Sequence, residues 1–125
     1  MKKILVVDDD EDVLETIQLV LEIGGYDVEP LDNAERIFEA ISDFEPDLIL
    51  LDVVLGKIDG RSLTHQLKSS MAYKHIPILL MSALYNEQEI LASTETAPDD
   101  FLPKPFKLDN FLSKIDRLTH QENPN

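Results

Sequence analysis

The sequence predicts an α/β domain, in which a doubly wound parallel sheet of five strands is covered by five helices. Two observations lead to this class. Short apolar runs, typical of strands buried on both faces, alternate along the chain with segments whose apolar residues recur at helical spacing. The length of 125 residues and the hydrophobic content of 43% suit one domain, expected over 1–121 with a polar tail at 122–125.

The first half of the chain alternates two strands with two helices. Lys3–Val7 is an apolar run that predicts the first strand, and 26–31 predicts a second, weaker one. The helix between them ends at Gly24-Gly25, and its apolar stripe comprises Val13, Ile17, Val20 and Leu21. Asn33 is a good N-cap for the second helix, whose stripe comprises Ala34, Ile37, Phe38 and Ile41.

The third and fourth strands have the clearest signals. The run 48–51, Leu-Ile-Leu-Leu, lies between Pro46 and Gly56, predicts a strand buried on both faces, and ends at the carboxylate of Asp52. Pro77 opens a fourth strand that ends at Ser82. The third helix, between these strands, is marked by Leu63, Leu67 and Met71.

The last third of the chain is less regular. Ile90 and Leu91 predict a short fourth helix, which the polar stretch 93–98 breaks. Phe101 and Leu102 predict a short fifth strand. The final amphipathic helix has a stripe formed by Leu108, Phe111, Leu112, Ile115 and Leu118.

Composition narrows the class of function. The formal net charge of −14 argues against direct contact with nucleic acid phosphates, and it favours cations and proteins with basic faces as partners. The chain contains no cysteine, so disulfides and thiolate metal sites are ruled out. The short apolar run near the start ends in three carboxylates, which is unlike a signal peptide, and no run is long enough to span a membrane. We expect a cytoplasmic protein that does not bind membranes, and the absence of a linker favours a stand-alone one.

Polar side chains follow four of the predicted strands. Because crossovers between parallel strands are right-handed, the carboxyl ends of all the strands meet at one rim of the sheet, where ligands bind. The residues placed at this rim are Asp8, Asp9, Asp52, Ser82 and Lys104. Each alone is compatible with a structural role, such as helix capping or a solvated loop lysine, but their joint placement favours a site. His65, His75 and His120 are expected to be surface residues without a chemical role.

This set of residues suits phosphoryl transfer. Carboxylates about 4 Å apart repel by roughly 4 kcal/mol at an effective dielectric of about 20, so the cluster needs a cation or protons. Oxygen ligands alone favour Mg²⁺. Asp52 is the candidate nucleophile, which would form an acyl phosphate. The Ser82 hydroxyl and the Lys104 ammonium would then hold the phosphoryl oxygens.

The sequence resembles the receiver domain of two-component response regulators over essentially its whole length. The matching segments, in order and at the family's spacing, are 4–10, 47–52, 59–60, 81–83 and 101–106. The resemblance implies a sheet with the strand order 2-1-3-4-5. It also implies a regulatory module rather than an enzyme, since such a domain catalyses only its own phosphorylation and dephosphorylation.

The resemblance implies a role for each matching residue. Asp52 would take a phosphoryl group from a sensor histidine kinase or a histidine phosphotransfer protein, and Lys104 would pair with that group. The Mg²⁺ ligands would be Asp8 (through water), Asp9, Asp52 and the backbone carbonyl of Val54. Ser82 and Phe101 would form the switch, the Lys104–Pro105 peptide bond would be cis, and the output partner would bind strand four, helix four and strand five.

Three departures from the family pattern carry expectations of their own. Gly56 stands where a proline is usual, which predicts a looser loop after Asp52. Ala97-Pro98 replaces a Gly-Ala pair and leaves the shape of the fourth helix open. Val54 and Leu84 flank the path of the hydrolytic water, and neither can orient water, so slow self-dephosphorylation is expected.

Two other functions stay open at the level of sequence. A Mg²⁺-dependent phosphatase with an aspartyl nucleophile also uses an Asp after a buried strand, but it needs a second Asp where Val54 stands. A degenerate receiver that serves only as a docking module would not need the complete set of rim residues.

Overall fold

The computed structural model describes residues 1–93 and 96–120. The domain is built around a parallel sheet of five strands in the order β2-β1-β3-β4-β5. The strands are β1 Lys3–Val7, β2 Asp27–Leu31, β3 Leu48–Asp52, β4 Ile78–Ser82 and β5 Asp100–Pro103. The predicted fold class and strand order are therefore confirmed.

Helices follow each strand of the sheet. In the described part of the chain they are α1 Glu11–Ile23, α2 Ile37–Phe44, α3 Gly60–Lys68, α4 Glu87–Ser93 and α5 Leu108–Thr119. Asn33 caps a 3-10 turn, Ala34–Arg36, that leads into α2, and its side chain accepts a hydrogen bond from the Glu35 N–H at 2.8 Å. The short α4 begins with a reciprocal cap, in which Asn86 and Glu89 each accept from the other's N–H.

The sheet separates two apolar cores. On one face β-strand side chains pack with α2, α3 and α4, and on the other face they pack with α1 and α5. Every residue of β3 and β4 is buried. Full burial of one such Leu or Ile side chain stabilises a fold by about 1.5–3 kcal/mol, so these two strands anchor the residues that follow them.

The end of α3 and the buried stripe of α1 differ from the sequence prediction. Helix α3 ends at Lys68 because the N–H groups of Ser69 and Ser70 close its last turn, so Met71 lies beyond it and is 81% exposed. The buried residues of α1 are Leu14, Ile17 and Leu21, so the buried stripe begins at Leu14 and not at Val13 as predicted. The predicted polar tail at 122–125 lies outside the described residues.

The described residues include no helix with the length and apolar character needed to cross a bilayer. A short antiparallel hairpin, Val54–Leu55 paired with Ile58–Asp59, connects β3 to α3. Asp59 then caps α3, since its side chain accepts a hydrogen bond from the Arg61 N–H at 2.8 Å. Helix α3 therefore starts at Gly60, directly after the hairpin.

Candidate functional site

Strand register brings the predicted residues to one rim of the sheet. Val7 pairs with Leu51, Asp52 with Met81, and Ser82 with Pro103. Asp8 therefore follows β1 beside the end of β3, and Lys104 follows β5 beside the end of β4. The Lys104 N–H donates to the Ser82 carbonyl at 2.7 Å, which fixes the start of the loop after β5. The Lys104–Pro105 peptide bond is cis, the form that the resemblance implies.

Lys104 joins two buried carboxylates at this rim. Its Nζ lies 2.7 Å from Asp8 Oδ2 and 2.6 Å from Asp52 Oδ2. Asp8 is fully buried, and Asp52 is 7% exposed. Their other oxygens accept backbone hydrogen bonds, Asp8 Oδ1 from the Asp10 N–H and Asp52 Oδ1 from the Val54 N–H. These contacts fix the orientations of three charged side chains that come from three different strand ends.

Burial and hydrogen bonding shift the pKa values of Asp8 and Lys104. Burial raises the pKa of Asp8 above its usual value, although the hydrogen bonds from Lys104 and Asp10 oppose this rise. Burial would lower the pKa of Lys104, but its hydrogen bonds to Asp52 and Asp8 outweigh that effect and raise it. One ammonium thus faces two carboxylates, and with both ionised the group carries a net charge of about −1.

The three consecutive carboxylates after β1 have different partners. Asp8 points inward to Lys104, while Asp10 caps α1 by accepting from the N–H groups of Asp12 and Val13. Asp9 is exposed, and its Oδ2 accepts a hydrogen bond from the Gly56 N–H at 2.9 Å. The sequence placed Asp8 and Asp9 at the same rim but gave no signal that would separate their orientations.

The donors at the rim suit a hard divalent cation. Two buried carboxylates with a single ammonium retain negative charge, and all the available ligand atoms are oxygens, as Mg²⁺ prefers. The residues that would hold the ion are Asp8, Asp9, Asp52 and the carbonyl of Val54. Within residues 1–93 and 96–120, no three His, Cys, Asp or Glu side chains lie close enough to share an ion. Asp9 would therefore have to turn toward the buried pair to join it.

The two predicted switch residues belong to β4 and β5, where Ser82 is the last residue of β4 and Phe101 is the second residue of β5. Ser82 is buried, and its Oγ accepts hydrogen bonds from the N–H groups of Leu84 at 3.1 Å and Tyr85 at 3.0 Å. The Phe101 ring is buried in the core that β-strands share with α2, α3 and α4. The hydroxyl thus shapes the first turn of the loop that leads to α4.

Two residues near the site had no role predicted from the sequence. Gly60 lies so close to β3 that a Cβ there would be 2.2 Å from the Asp52 carbonyl oxygen, and its N–H donates to the Val53 carbonyl. Arg61 makes bidentate contact with Asp59, donates to Ser93 Oγ at 2.7 Å and stacks over the Tyr85 ring. Only Gly60 had a sequence signal, because a glycine at a helix start permits close backbone approach.

The histidines lie away from this rim. His65 Nδ1 is 2.7 Å from Thr96 Oγ1, and His120 Nδ1 is 2.9 Å from the Asp116 carbonyl oxygen. His75 is exposed and lines a groove of about 770 Å³ at the opposite end of the strands. That these histidines take no part in the rim chemistry stays a prediction.

Comparisons with known proteins identify the family. The sequence model of the family described as the response regulator receiver domain matches residues 4–116 of this chain. Response regulator MprA from Mycobacterium sp. (strain KMS) is 34% identical over 122 residues, which are 98% of this chain and 52% of MprA. The protein of the same name from Mycobacterium leprae is also 34% identical, and 53% of its length is matched. The chain thus spans about half the length of these curated relatives.

Solved structures agree with this assignment. A putative response regulator from Chloroflexus aurantiacus superposes with a TM-score of 0.87 at 30% identity, over 96% of this chain and 98% of that one. The non-phosphorylated receiver domain of HemR from Leptospira biflexa superposes with a TM-score of 0.86 at 30% identity, over 100% of this chain and 99% of that one. The BeF₃-activated receiver domain of Klebsiella pneumoniae RstA superposes with a TM-score of 0.86 at 28% identity, over 96% of this chain and 100% of that one. This chain therefore belongs to the receiver domain family of two-component response regulators.

Proposed function

We propose that this receiver domain accepts a phosphoryl group on Asp52, with Mg²⁺ bound, from a sensor histidine kinase or a histidine phosphotransfer protein. The observation that carries the proposal is the buried pair of carboxylates, Asp8 and Asp52, joined by the single ammonium of Lys104. Such an arrangement orients a nucleophile at the tip of β3, and with a divalent cation bound it could also accept an anionic phosphoryl group.

The transfer step forms one bond and breaks another. A carboxylate oxygen of Asp52 attacks phosphorus, and the phosphorus–nitrogen bond of the donor's phosphohistidine breaks with its electron pair remaining on the imidazole nitrogen. Lys104 already donates to Asp52 Oδ2, so its ammonium has only a short distance to move to pair with a phosphoryl oxygen. The cation, held by Asp8, Asp9, Asp52 and the Val54 carbonyl, would neutralise charge on the phosphoryl oxygens.

The switch would follow from a change of partner at Ser82. If its hydroxyl turns to donate to a phosphoryl oxygen, the geometry of its bonds from Leu84 and Tyr85 changes, and so does the loop before α4. The Phe101 ring, which carries no hydroxyl, needs no hydrogen-bond partner in its buried position. We propose that a downstream protein reads this change on β4, α4 and β5.

A phosphatase is a weaker candidate, since Val54 offers no general acid two residues after Asp52. We therefore propose a regulatory role, in which the domain catalyses only its own phosphorylation and dephosphorylation.

Two further proposals concern the surroundings of the domain. The acidic surface should exclude direct binding of nucleic acid by these residues, and cell fractionation should find the protein in the cytoplasm rather than with membranes.

The test is phosphorylation by a small donor. The protein is incubated with Mg²⁺ and acetyl phosphate, and its intact mass is recorded with and without the cation. We expect a gain of one phosphoryl group that requires Mg²⁺ and disappears in Asp52→Asn. Asp109→Asn, which changes an exposed carboxylate at the start of α5, is the matched control and should be phosphorylated normally. A protein that never gains the mass would be a docking module, and catalytic release of phosphate from added phosphoesters would indicate the phosphatase.

A further inference from the structure

The tip of the hairpin after β3 contacts the acidic loop after β1. The contact is the hydrogen bond from the Gly56 N–H to Asp9 Oδ2, 2.9 Å long and 47 residues apart in sequence. Asp9 is the one carboxylate of the 8–10 triplet whose side chain is neither turned to Lys104 nor used to cap α1. Its orientation is therefore set by a backbone group of another loop.

The hairpin gives this N–H a fixed direction. Leu55 pairs with Ile58, which leaves Gly56 and Lys57 as a two-residue turn. Gly56 has a φ of +62°, while Lys57 does not have a positive φ, as in the turns that place glycine at their first central position. A proline at position 56 could neither adopt this φ nor donate a hydrogen bond.

The bonded position of Asp9 keeps it apart from the buried carboxylates. As described above, Asp9 does not form a three-carboxylate group with Asp8 and Asp52 in residues 1–93 and 96–120. A turn of the Asp9 side chain toward the other two would carry its Oδ2 away from the Gly56 N–H. The hydrogen bond and the cation thus compete for the same carboxylate.

We propose that the Gly56 N–H is a positioning group that holds Asp9 out of the cation site, so that binding of a divalent cation releases the hairpin tip from the β1–α1 loop. This inference rests on the proposed function, because it takes Asp9 as a Mg²⁺ ligand. It adds a structural consequence that the function does not require: the hairpin tip would report whether the cation is bound before any phosphoryl group arrives.

The first test uses the unmodified chain. Exchange of the Gly56 amide proton with water is measured by NMR during a titration with Mg²⁺. We expect exchange to be slowed without the cation and to rise several-fold at saturation, while the Asp10 amide, which donates to Asp8, stays protected. A Gly56 amide that remains equally protected in the Mg²⁺-saturated protein would overturn the proposal.

The second test removes the donor. In Gly56→Pro the competing bond is lost, and we expect Mg²⁺, measured by calorimetry, to bind about three- to tenfold more tightly. Lys57→Pro is the matched control, because it places a proline in the same turn but keeps the Gly56 N–H. It should bind Mg²⁺ as the parent protein does. Equal or weaker binding by Gly56→Pro, with the amide signals of Val54 and Leu55 unchanged from the parent protein, would contradict the proposal.

The two tests separate this inference from the proposed function. If the chain gains a phosphoryl group on Asp52 in Mg²⁺ but the Gly56 amide does not respond, the function stands and the role of Gly56 is wrong. If the parent protein binds no Mg²⁺ at all, both the cation site and the role of Gly56 are wrong.

Discussion

Lys104 Nζ lies 2.6 Å from Asp52 Oδ2, so the ammonium that would later neutralise a phosphoryl group is bound to the proposed acceptor beforehand. The same atom also contacts Asp8, which is fully buried. Lys104 therefore stabilises the domain in addition to the chemical role proposed for it, because without it two carboxylates would share a buried site with no cation. This double role makes its removal measurable without any phosphorylation assay.

Replacing Lys104 should destabilise the domain. We expect Lys104→Met to lower the free energy of unfolding by about 3 kcal/mol at neutral pH, because it leaves buried carboxylates unpaired. The loss should shrink as the pH falls, when protonation removes the repulsion, and also when Mg²⁺ is added. Denaturant unfolding at several pH values measures this. Lys107→Met, at an exposed position, is the control, and an equal loss in both variants would contradict the role of Lys104.

Asp8 should make stability fall as the pH rises. Its folded-state pKa is raised, chiefly by burial, so the folded protein holds this proton to a higher pH than the unfolded chain does. Its contribution is therefore complete below the unfolded pKa of about 4 and is lost as the pH rises through the folded value. We expect the difference in unfolding free energy, Asp8→Asn minus parent, to increase with pH over that window. A difference independent of pH would contradict this sign.

Gly60 should tolerate no side chain. A Cβ at this position would lie 2.2 Å from the Asp52 carbonyl oxygen, which belongs to the backbone and cannot move aside cheaply. We expect Gly60→Ala to cost at least about 2 kcal/mol of stability and to slow phosphorylation. Gly24→Ala is the control, since its nearest contact would be 3.4 Å and its φ is −73°. Thermal unfolding of the two variants side by side would decide the matter, and equal melting temperatures would contradict it.

Val54 should limit the decay of the acyl phosphate. Val54 is 42% exposed beside Asp52, and its side chain offers no group to orient an attacking water. We expect Val54→Asn to speed dephosphorylation by about tenfold, since an amide can position water for attack. The decay is followed by intact mass after removal of the donor. Val54→Ala, which adds no polar group, is the control. If Val54→Asn does not decay faster than the parent protein, the side chain at position 54 does not limit dephosphorylation.

Much of the fold could be predicted because its signals are local. The apolar runs of β3 and β4 and the stripe of α5 determine their own structure, and alternation of strand and helix then places Asp8, Asp52 and Lys104 at one rim. The end of α3 was missed because Met71 continues the apolar period, although the backbone closes the helix at Ser69.

The orientation of side chains at the rim could not be predicted in the same way. Asp8, Asp9 and Asp10 are identical residues in a row, and their different partners depend on elements far away in sequence. Gly56 was expected to loosen its loop, whereas its positive φ closes a two-residue turn that donates to Asp9. Such contacts arise only after the sheet has brought the loops together.

The most direct measurement is the identification of the phosphorylated residue. The protein is treated with acetyl phosphate and Mg²⁺, the acyl phosphate is reduced with borohydride, and the digest is examined by mass spectrometry. The account predicts that the aspartate at position 52 is converted to homoserine, in a reaction that depends on Mg²⁺. Conversion at another carboxylate, or at none while the fold is intact, would contradict it.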